Sequence, residues 1–351
     1  MPATPSIAYV IEPRFPGGTS SAVANELRAT ARMAPVSVNA ISSEMFKGGT
    51  IAPYLKAALQ NLNIEMTWDP QSISANIVII HNPSFLKFQK QLGTRIVANH
   101  IIVVAHENFL RPGGAEAFDV TSCLGAIDRA SVALTKSIAP VSPYNRKTIT
   151  EWMESNHFSD RWTLLNRDWL NICDFPIAPP NQHPNDRRGR HSRAGFEKFP
   201  NIRDMDLCFP SHAQSNVILG ADTFISDAIQ RPHWEMIPFR GMSVSDYFEK
   251  IDFMVYFTSP AWRESFGRVI AESIAAGKIV ITDPGTASVF SGATVPAAPQ
   301  DVDDIVRMFV AEPRRYVDFV TLAQGKLAEF SESSFQLRFS EYLHNFLGVR
   351  K

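Results

Sequence analysis

The sequence predicts an α/β protein with two doubly wound parallel sheets. Three observations carry this. The chain has 351 residues, too many for one ordinary core and suited to two domains. Short apolar runs alternate with helix-period stretches along both halves. And residues 253–285 read without a gap as strand, loop, helix, strand and turn, the signature of a βαβ unit in a parallel sheet.

Composition narrows the class. Apolar residues make up 45% of the chain, as in a soluble globular protein. The formal net charge is −1, so no global field draws in nucleic acid or an anionic membrane. Cys123, Cys173 and Cys208 lie far apart, which predicts reduced buried thiols and no zinc site or disulfide framework. The start of the chain lacks the basic region and apolar core of a signal peptide, and no run approaches the roughly 20 apolar residues of a membrane span. A cytoplasmic protein is expected, with peripheral contact at the inner face of a membrane left open.

In chain order, Ile7 to Ile11 reads as the first strand. The loop from Glu12 to Ser20 holds Gly17 and Gly18, which permit a sharp turn or close approach to a ligand. A helix with Val23, Leu27 and Ala31 follows, capped by Ser20 or Ser21. Further strands are expected at 36–40, 77–81 and 101–105, with a helix over 56–62. Ligands of such a sheet gather at the carboxyl ends of its strands. His81 and His106 stand at two such ends. Ser142-Pro143 reads as a helix start, with the helix over 144–153. The Pro-rich stretch 176–185 reads as the hinge. The expected division is 1–175, 176–330, and a final segment 331–351.

The second half opens on a basic cluster from Asp186 to Pro200. Asn185 to Arg188 makes a poor strand by composition. Strands are expected at 215–219, 253–257 and 278–282. A helix over 243–250 is capped by Ser243 or Ser245, and further helices lie at 302–310 and 314–330. Phe335, Phe339, Tyr342, Leu343 and Phe346 form an apolar stripe at three and four spacing.

The chemistry centres on Glu264 and Glu272. Glu264 precedes the helix and Glu272 lies about 9 Å into it, at six residues from its start. Between them the N–H groups of Ser265, Phe266 and Gly267 and the helix dipole favour an anion, and Gly267 lets it come close. An acceptor, a positive cradle and a second acceptor suit a molecule built as sugar, diphosphate and ribose. Arg-Glu-Ser-Phe-Gly-Arg-Val-Ile-Ala-Glu-Ser-Ile-Ala-Ala-Gly-Lys resembles the E-x7-E signature of retaining GT-B glycosyltransferases. Outside this stretch the resemblance is looser.

That resemblance implies two Rossmann-like domains facing across a cleft, with a last helix crossing back to the first. It implies that Glu264 accepts hydrogen bonds from sugar hydroxyls and that Glu272 holds the ribose. Gly189-Arg190 and Lys198 match the positions that hold the donor diphosphate, with Arg193 a further candidate. Gly17 and Gly18 match the first loop, under the donor phosphates or acceptor. His106 matches a histidine near the reacting sugar, as a donor to a hydroxyl, and residues 108–114 line the acceptor side. Phe239 and Arg240 fall in the loop that receives the base. The implied reaction moves a hexosyl group from a nucleoside-diphosphate sugar to a hydroxyl of a saccharide or lipid-linked acceptor, in polysaccharide or glycoconjugate synthesis. The anomeric configuration is kept, without a cofactor or divalent metal. Asp204-Met205-Asp206 has the spacing of a metal pair but lies away from a strand end. A nucleotide-sugar epimerase, a non-catalytic sugar-nucleotide binder and a nucleic-acid binder at the basic cluster are the competing classes.

Overall fold

The computed structural model describes residues 5–346 apart from 16, 90, 159 and 160. Pro16 of the first loop therefore lies outside the described residues, as do the side chains of Phe196, Asn345 and Phe346. The chain divides into two compact units, Met1–Ile172 with Phe330–Lys351, and Cys173–Glu329.

The first unit starts with β1 (Ile7–Ile11), all five residues of which are buried. Helix α1 (Gly18–Thr30) follows, then β2 (Val36–Ala40), α2 (Pro53–Asn61), β3 (Met66–Trp68), β4 (Ser72–His81), β5 (Arg95–Ala105), α3 (Val120–Ala130), β6 (Ser131–Pro140), α4 (Pro143–Ser155) and β7 (Thr163–Leu164). The described strands form a parallel sheet in the order β3-β2-β1-β4-β5-β6-β7. Strand order reverses between β1 and β4, so this unit's ligand crevice is expected outside the ends of those two strands.

Two local expectations need correction here. Helix α1 starts at Gly18 behind Gly17 (φ +89°), earlier than a Ser20 or Ser21 cap would place it. Both serines sit inside the helix and return their hydroxyls to Phe15 O and Gly17 O. Strands β4 to β6 run several residues longer than their apolar cores, because polar residues at their starts still complete the backbone ladder. Helix α4 begins as expected, with Pro143 in its first turn and Ser142 Oγ accepting from Asn145 N.

The second unit contains β8 (Arg187–His191), α5 (Ile202–Cys208), β9 (Ser215–Leu219), α6 (Asp222–Ser226), β10 (Glu235–Ile237), α7 (Val244–Glu249), β11 (Phe253–Tyr256), α8 (Arg268–Ala275), β12 (Ile279–Thr282), α9 (Pro284–Ala287), β13 (Val295–Pro296), α10 (Val302–Ala311) and α11 (Pro313–Lys326). Its parallel sheet runs β10-β9-β8-β11-β12-β13, reversing between β8 and β11. The poor-strand reading of Arg187-Arg188 is overturned: both residues pair with β9, and Arg188 also pairs with β11. An arginine serves in a buried strand when its charge is met. Arg188 is met by Asp186, Asp303 and the carbonyl of Cys208. Asp283-Pro284-Gly285 is not a plain turn but the start of α9, with Asp283 accepting from Gly285 N and Thr286 N.

Helix α8 stops as its sequence predicts. Gly277 takes φ +77°, and Gly277 N and Lys278 N donate to Ile274 O and Ser273 O. This is a Schellman ending. A Cβ on Gly277 would come 2.8 Å from Pro179 O.

The last helix, α12 (Glu332–Phe346), returns to the first unit. Trp169 meets the rings of Phe335, Phe339 and Tyr342 with centroids 5.9, 6.0 and 5.7 Å away. Phe335 and Phe339 of the apolar stripe are core, and Tyr342 and Leu343 are half-buried. The three cysteines are free and buried, and burial pushes each thiol up to about 12. No helix among the described residues is long and apolar enough to cross a membrane.

Candidate functional site

At the reversal point of the second unit, β8 delivers Arg190 and β11 delivers Tyr256. Arg190 is fully buried, its guanidinium centred 4.7 Å from the Phe199 ring and 4.3 Å from the Tyr256 ring. Its Nε, Nη1 and Nη2 meet no hydrogen-bond acceptor among the described residues. The nearby Tyr256 hydroxyl gives its proton to Glu264. Burial pulls the Arg190 pKa below its ordinary value. Arg188, two residues earlier and so on the same face of the strand, has all its charge answered. The contrast marks Arg190 as a buried cation that feels the Glu264 carboxylate but whose N–H groups meet no hydrogen-bond acceptor among the described residues.

More polar atoms cluster beside it in sequence. His191 Nδ1 and Ser192 Oγ are buried without a hydrogen-bond partner among the described residues. Burial, and then Arg190, pull the His191 pKa to about 4, so the ring is neutral near pH 7. Gly220 closes over this strand end at φ +91°, where an added Cβ would lie 2.1 Å from Ser192 O. Only glycine fits there.

Glu264 sits in the loop after β11. Its Oε1 accepts from Lys198 Nζ at 2.5 Å and from the Tyr256 hydroxyl at 2.7 Å. Burial alone would push its carboxyl up, but Lys198, Tyr256 and Arg190 together hold it below its ordinary value. Lys198 also lies over the Trp262 ring, 5.2 Å from its centroid. Arg190, Lys198, Tyr256 and Glu264 thus form one charged cluster on the reversal point.

The remaining predicted residues are placed less uniformly. Gly267 takes φ +89° directly before α8. Phe266 is buried, its ring 5.3 Å from that of Phe290, so its side chain belongs to the core. Ser265 is half-buried in the same loop. Helix α8 begins at Arg268, so Glu272 is its fifth residue, about 6 Å in rather than about 9 Å. Glu272 is half-buried, and burial raises its pKa against the pull of Arg268. Arg193 is exposed and paired with Glu197 at 2.8 Å, so it does not join the Arg190 cluster. Phe239 is exposed, Arg240 has a left-handed backbone (φ +65°), and its guanidinium lies 5.3 Å from the Phe239 ring.

In the first unit, Gly17 ends the loop after β1 and Gly18 starts α1, and an added Cβ at either meets nothing within 4 Å. His106 follows β5. Its Nε2 lies 2.9 Å from His81 Nδ1, at the end of β4. Burial, and then His81, hold the His106 pKa well below the ordinary imidazole value.

Sequence reasoning missed Tyr256, Phe199 and Trp262 as partners of the charged residues, and Glu26 behind His81. Tyr256 ends an apolar strand at a carboxyl edge, a placement that offered a signal. Nothing in the sequence marks the others. Asp204 and Asp206 bond Asn201 and Arg231. Asp186, His212 and Asp303 bring ligand atoms within 4.8 Å of one another. Arg188 and Arg307 already occupy that cluster.

No protein-family profile matches the sequence, and no curated protein matches it significantly. Solved structures do match in fold. Anabaena HepE in complex with UDP and glucose superposes with a TM-score of 0.66 at 14% identity, over 97% of this chain and 100% of that one. Sucrose-phosphate synthase from Thermosynechococcus elongatus gives 0.61 at 12%, over 98% and 100%. A UDP-forming α,α-trehalose-phosphate synthase from Burkholderia xenovorans gives 0.60 at 12%, over 97% and 99%. The fold is GT-B, as the motif resemblance implied.

Proposed function

We propose that this protein is a retaining glycosyltransferase that moves a hexosyl group from a nucleoside-diphosphate sugar to a hydroxyl without using a metal ion. The observation that carries the reading is Arg190, a fully buried guanidinium at a strand-order reversal whose nitrogens meet no hydrogen-bond acceptor among the described residues. A diphosphate is the ligand such a group suits, since its oxygens satisfy several N–H donors at once. Similar folds solved with UDP and glucose, or with UDP-glucose, support a sugar nucleotide as that ligand.

Each residue then has a physical task. Arg190 and Lys198 neutralise the charge that grows on the diphosphate as the glycosidic bond breaks, the role a divalent ion plays elsewhere. Glu264, kept ionised by Lys198 and Tyr256, accepts hydrogen bonds from the sugar. Glu272 holds the ribose. Gly267 lets the phosphates approach the start of α8. Gly17, Gly18 and His106 serve the reacting sugar and acceptor, and Phe239 and Arg240 the base. The acceptor is a saccharide or lipid-linked hydroxyl, and the setting is cytoplasmic polysaccharide or glycoconjugate synthesis.

The test is a panel of nucleotide sugars incubated with the protein and simple saccharide acceptors, with products identified by NMR. Transfer with the donor's anomeric configuration kept is expected, undiminished by a chelator. Epimerised donor in the absence of any acceptor, or an inverted product, would displace this reading. So would binding of labelled donor without turnover.

A further inference from the structure

Behind His106 lies a buried polar array that the proposed chemistry does not use. Glu26 is on α1, Tyr9 on β1, His81 at the end of β4, and Trp169 in the segment before the second unit. Glu26 is 3% exposed. Its Oε1 accepts from the Tyr9 hydroxyl at 2.9 Å, and its Oε2 from Trp169 Nε1 at 2.7 Å. His81 Nε2 lies 3.3 Å from Glu26 Oε1, off the line of a hydrogen bond but within strong electrostatic reach. His81 Nδ1 and His106 Nε2 are 2.9 Å apart, which requires one proton between them.

We infer that Glu26 and His81 are positioning residues that fix His106 as the tautomer with its proton on Nε2 and its lone pair on Nδ1. The argument follows the protons. A carboxylate beside His81 Nε2 draws the His81 proton to that nitrogen. In neutral His81 this leaves Nδ1 as a lone pair, able only to accept. His106 Nε2 must then donate to it. His106 stays neutral, since burial opposes its charged form. Its single proton is therefore committed, and Nδ1 is an acceptor. The other ionisable groups around the array do not compete. Glu12 is held by Arg14 and Ser43 N, Glu107 by Ser84 Oγ and more loosely by Asn82, and Tyr9 by Glu26 itself. The catalytic consequence rests on the transferase reading above. It reverses the expected role: toward a sugar or acceptor hydroxyl, His106 accepts the hydrogen bond rather than donating it.

The test reads tautomers in the ligand-free protein, so its outcome is independent of any transferase activity. Long-range proton–nitrogen NMR of protein labelled with 15N-histidine, above neutral pH, is assigned with His81→Asn and His106→Asn. Protonated Nε2 and bare Nδ1 are expected in both rings. Glu26→Gln should invert both. Trp169 Nε1 only donates, so it holds the Gln oxygen at the Oε2 position and turns the amide NH2 toward His81 Nε2. His81 Nε2 then becomes the acceptor, His81 Nδ1–H donates, and the His106 proton moves to Nδ1. A wild-type His106 protonated at Nδ1 would overturn the inference without any variant. A His106 spectrum unmoved by Glu26→Gln would do the same.

Discussion

Lys198 Nζ and Glu264 Oε1 stand 2.5 Å apart across 66 residues of sequence, and both side chains are largely buried, at 10% and 14% exposure. Each needs the other. Removing Lys198 leaves a buried carboxylate with Tyr256 as its one direct donor among the described residues. Lys198→Met is expected to destabilise the protein by about 3 kcal/mol, measured by urea unfolding near pH 7.

The same pair sets a pH dependence. The Glu264 carboxyl is held below its ordinary 4.5, so its pairing contributes stability above that pH. The contribution is lost as pH falls through the lower folded-state value. Lys198→Met raises that value, so its acid-unfolding midpoint should lie at higher pH than that of the wild type. Identical midpoints by circular dichroism would show that Lys198 does not hold the carboxyl down.

Arg190 should behave differently. In the free protein the Glu264 charge and two aromatic faces only partly offset its burial, so Arg190→Met is expected to stay within about 1 kcal/mol of the wild type. The same variant should lose the rise in thermal stability that a nucleoside diphosphate gives the wild type, about 2.7 kcal/mol at a hundredfold excess over Kd. Thermal shift with and without UDP measures both effects. A strongly destabilised variant that still responded to UDP would remove Arg190 from the site.

Glu272 is raised above its ordinary 4.5 by burial. Its ionisation therefore works against the fold. The cost is absent below pH 4.5 and grows as pH rises through the folded-state value. Glu272→Gln should raise Tm near pH 7, leave it unchanged below pH 4.5, and weaken nucleotide-sugar binding. Calorimetry at the two pH values, with a binding titration, checks all three.

Gly220→Ala places a Cβ 2.1 Å from Ser192 O at a backbone angle of +91°. Backbone cannot yield as a flexible side chain does. A loss of more than about 3 kcal/mol is expected, from strain and overpacking together. Denaturant titration reads it directly.

Some of this was legible before any coordinates. The stretch from Phe253 to Thr282 was read correctly because its signals are local: an apolar run, a helix-period stripe, and Gly277 in position to end the helix. The Ser142 and Ser243 caps were legible for the same reason. Arg187 and Arg188 were misjudged because composition reports average burial, not whether a charge finds a partner. Asp186 and Asp303 answer Arg188, and Asp252 answers Arg187.

Local pattern was therefore enough to establish the alternation of strands and helices, the GT-B resemblance, and the candidate residues around Glu264. Which of those candidates meet was decided by sheet order. Strand β8 lies beside β11, and that neighbourhood brings Arg190 to Tyr256. Helix α1 and the ends of β4 and β5 bring Glu26, His81 and His106 into line. Periodicity and capping act over one or two turns of chain, so one sequence window can carry them. A buried charge is satisfied by groups dozens of residues away, and no window spans that distance.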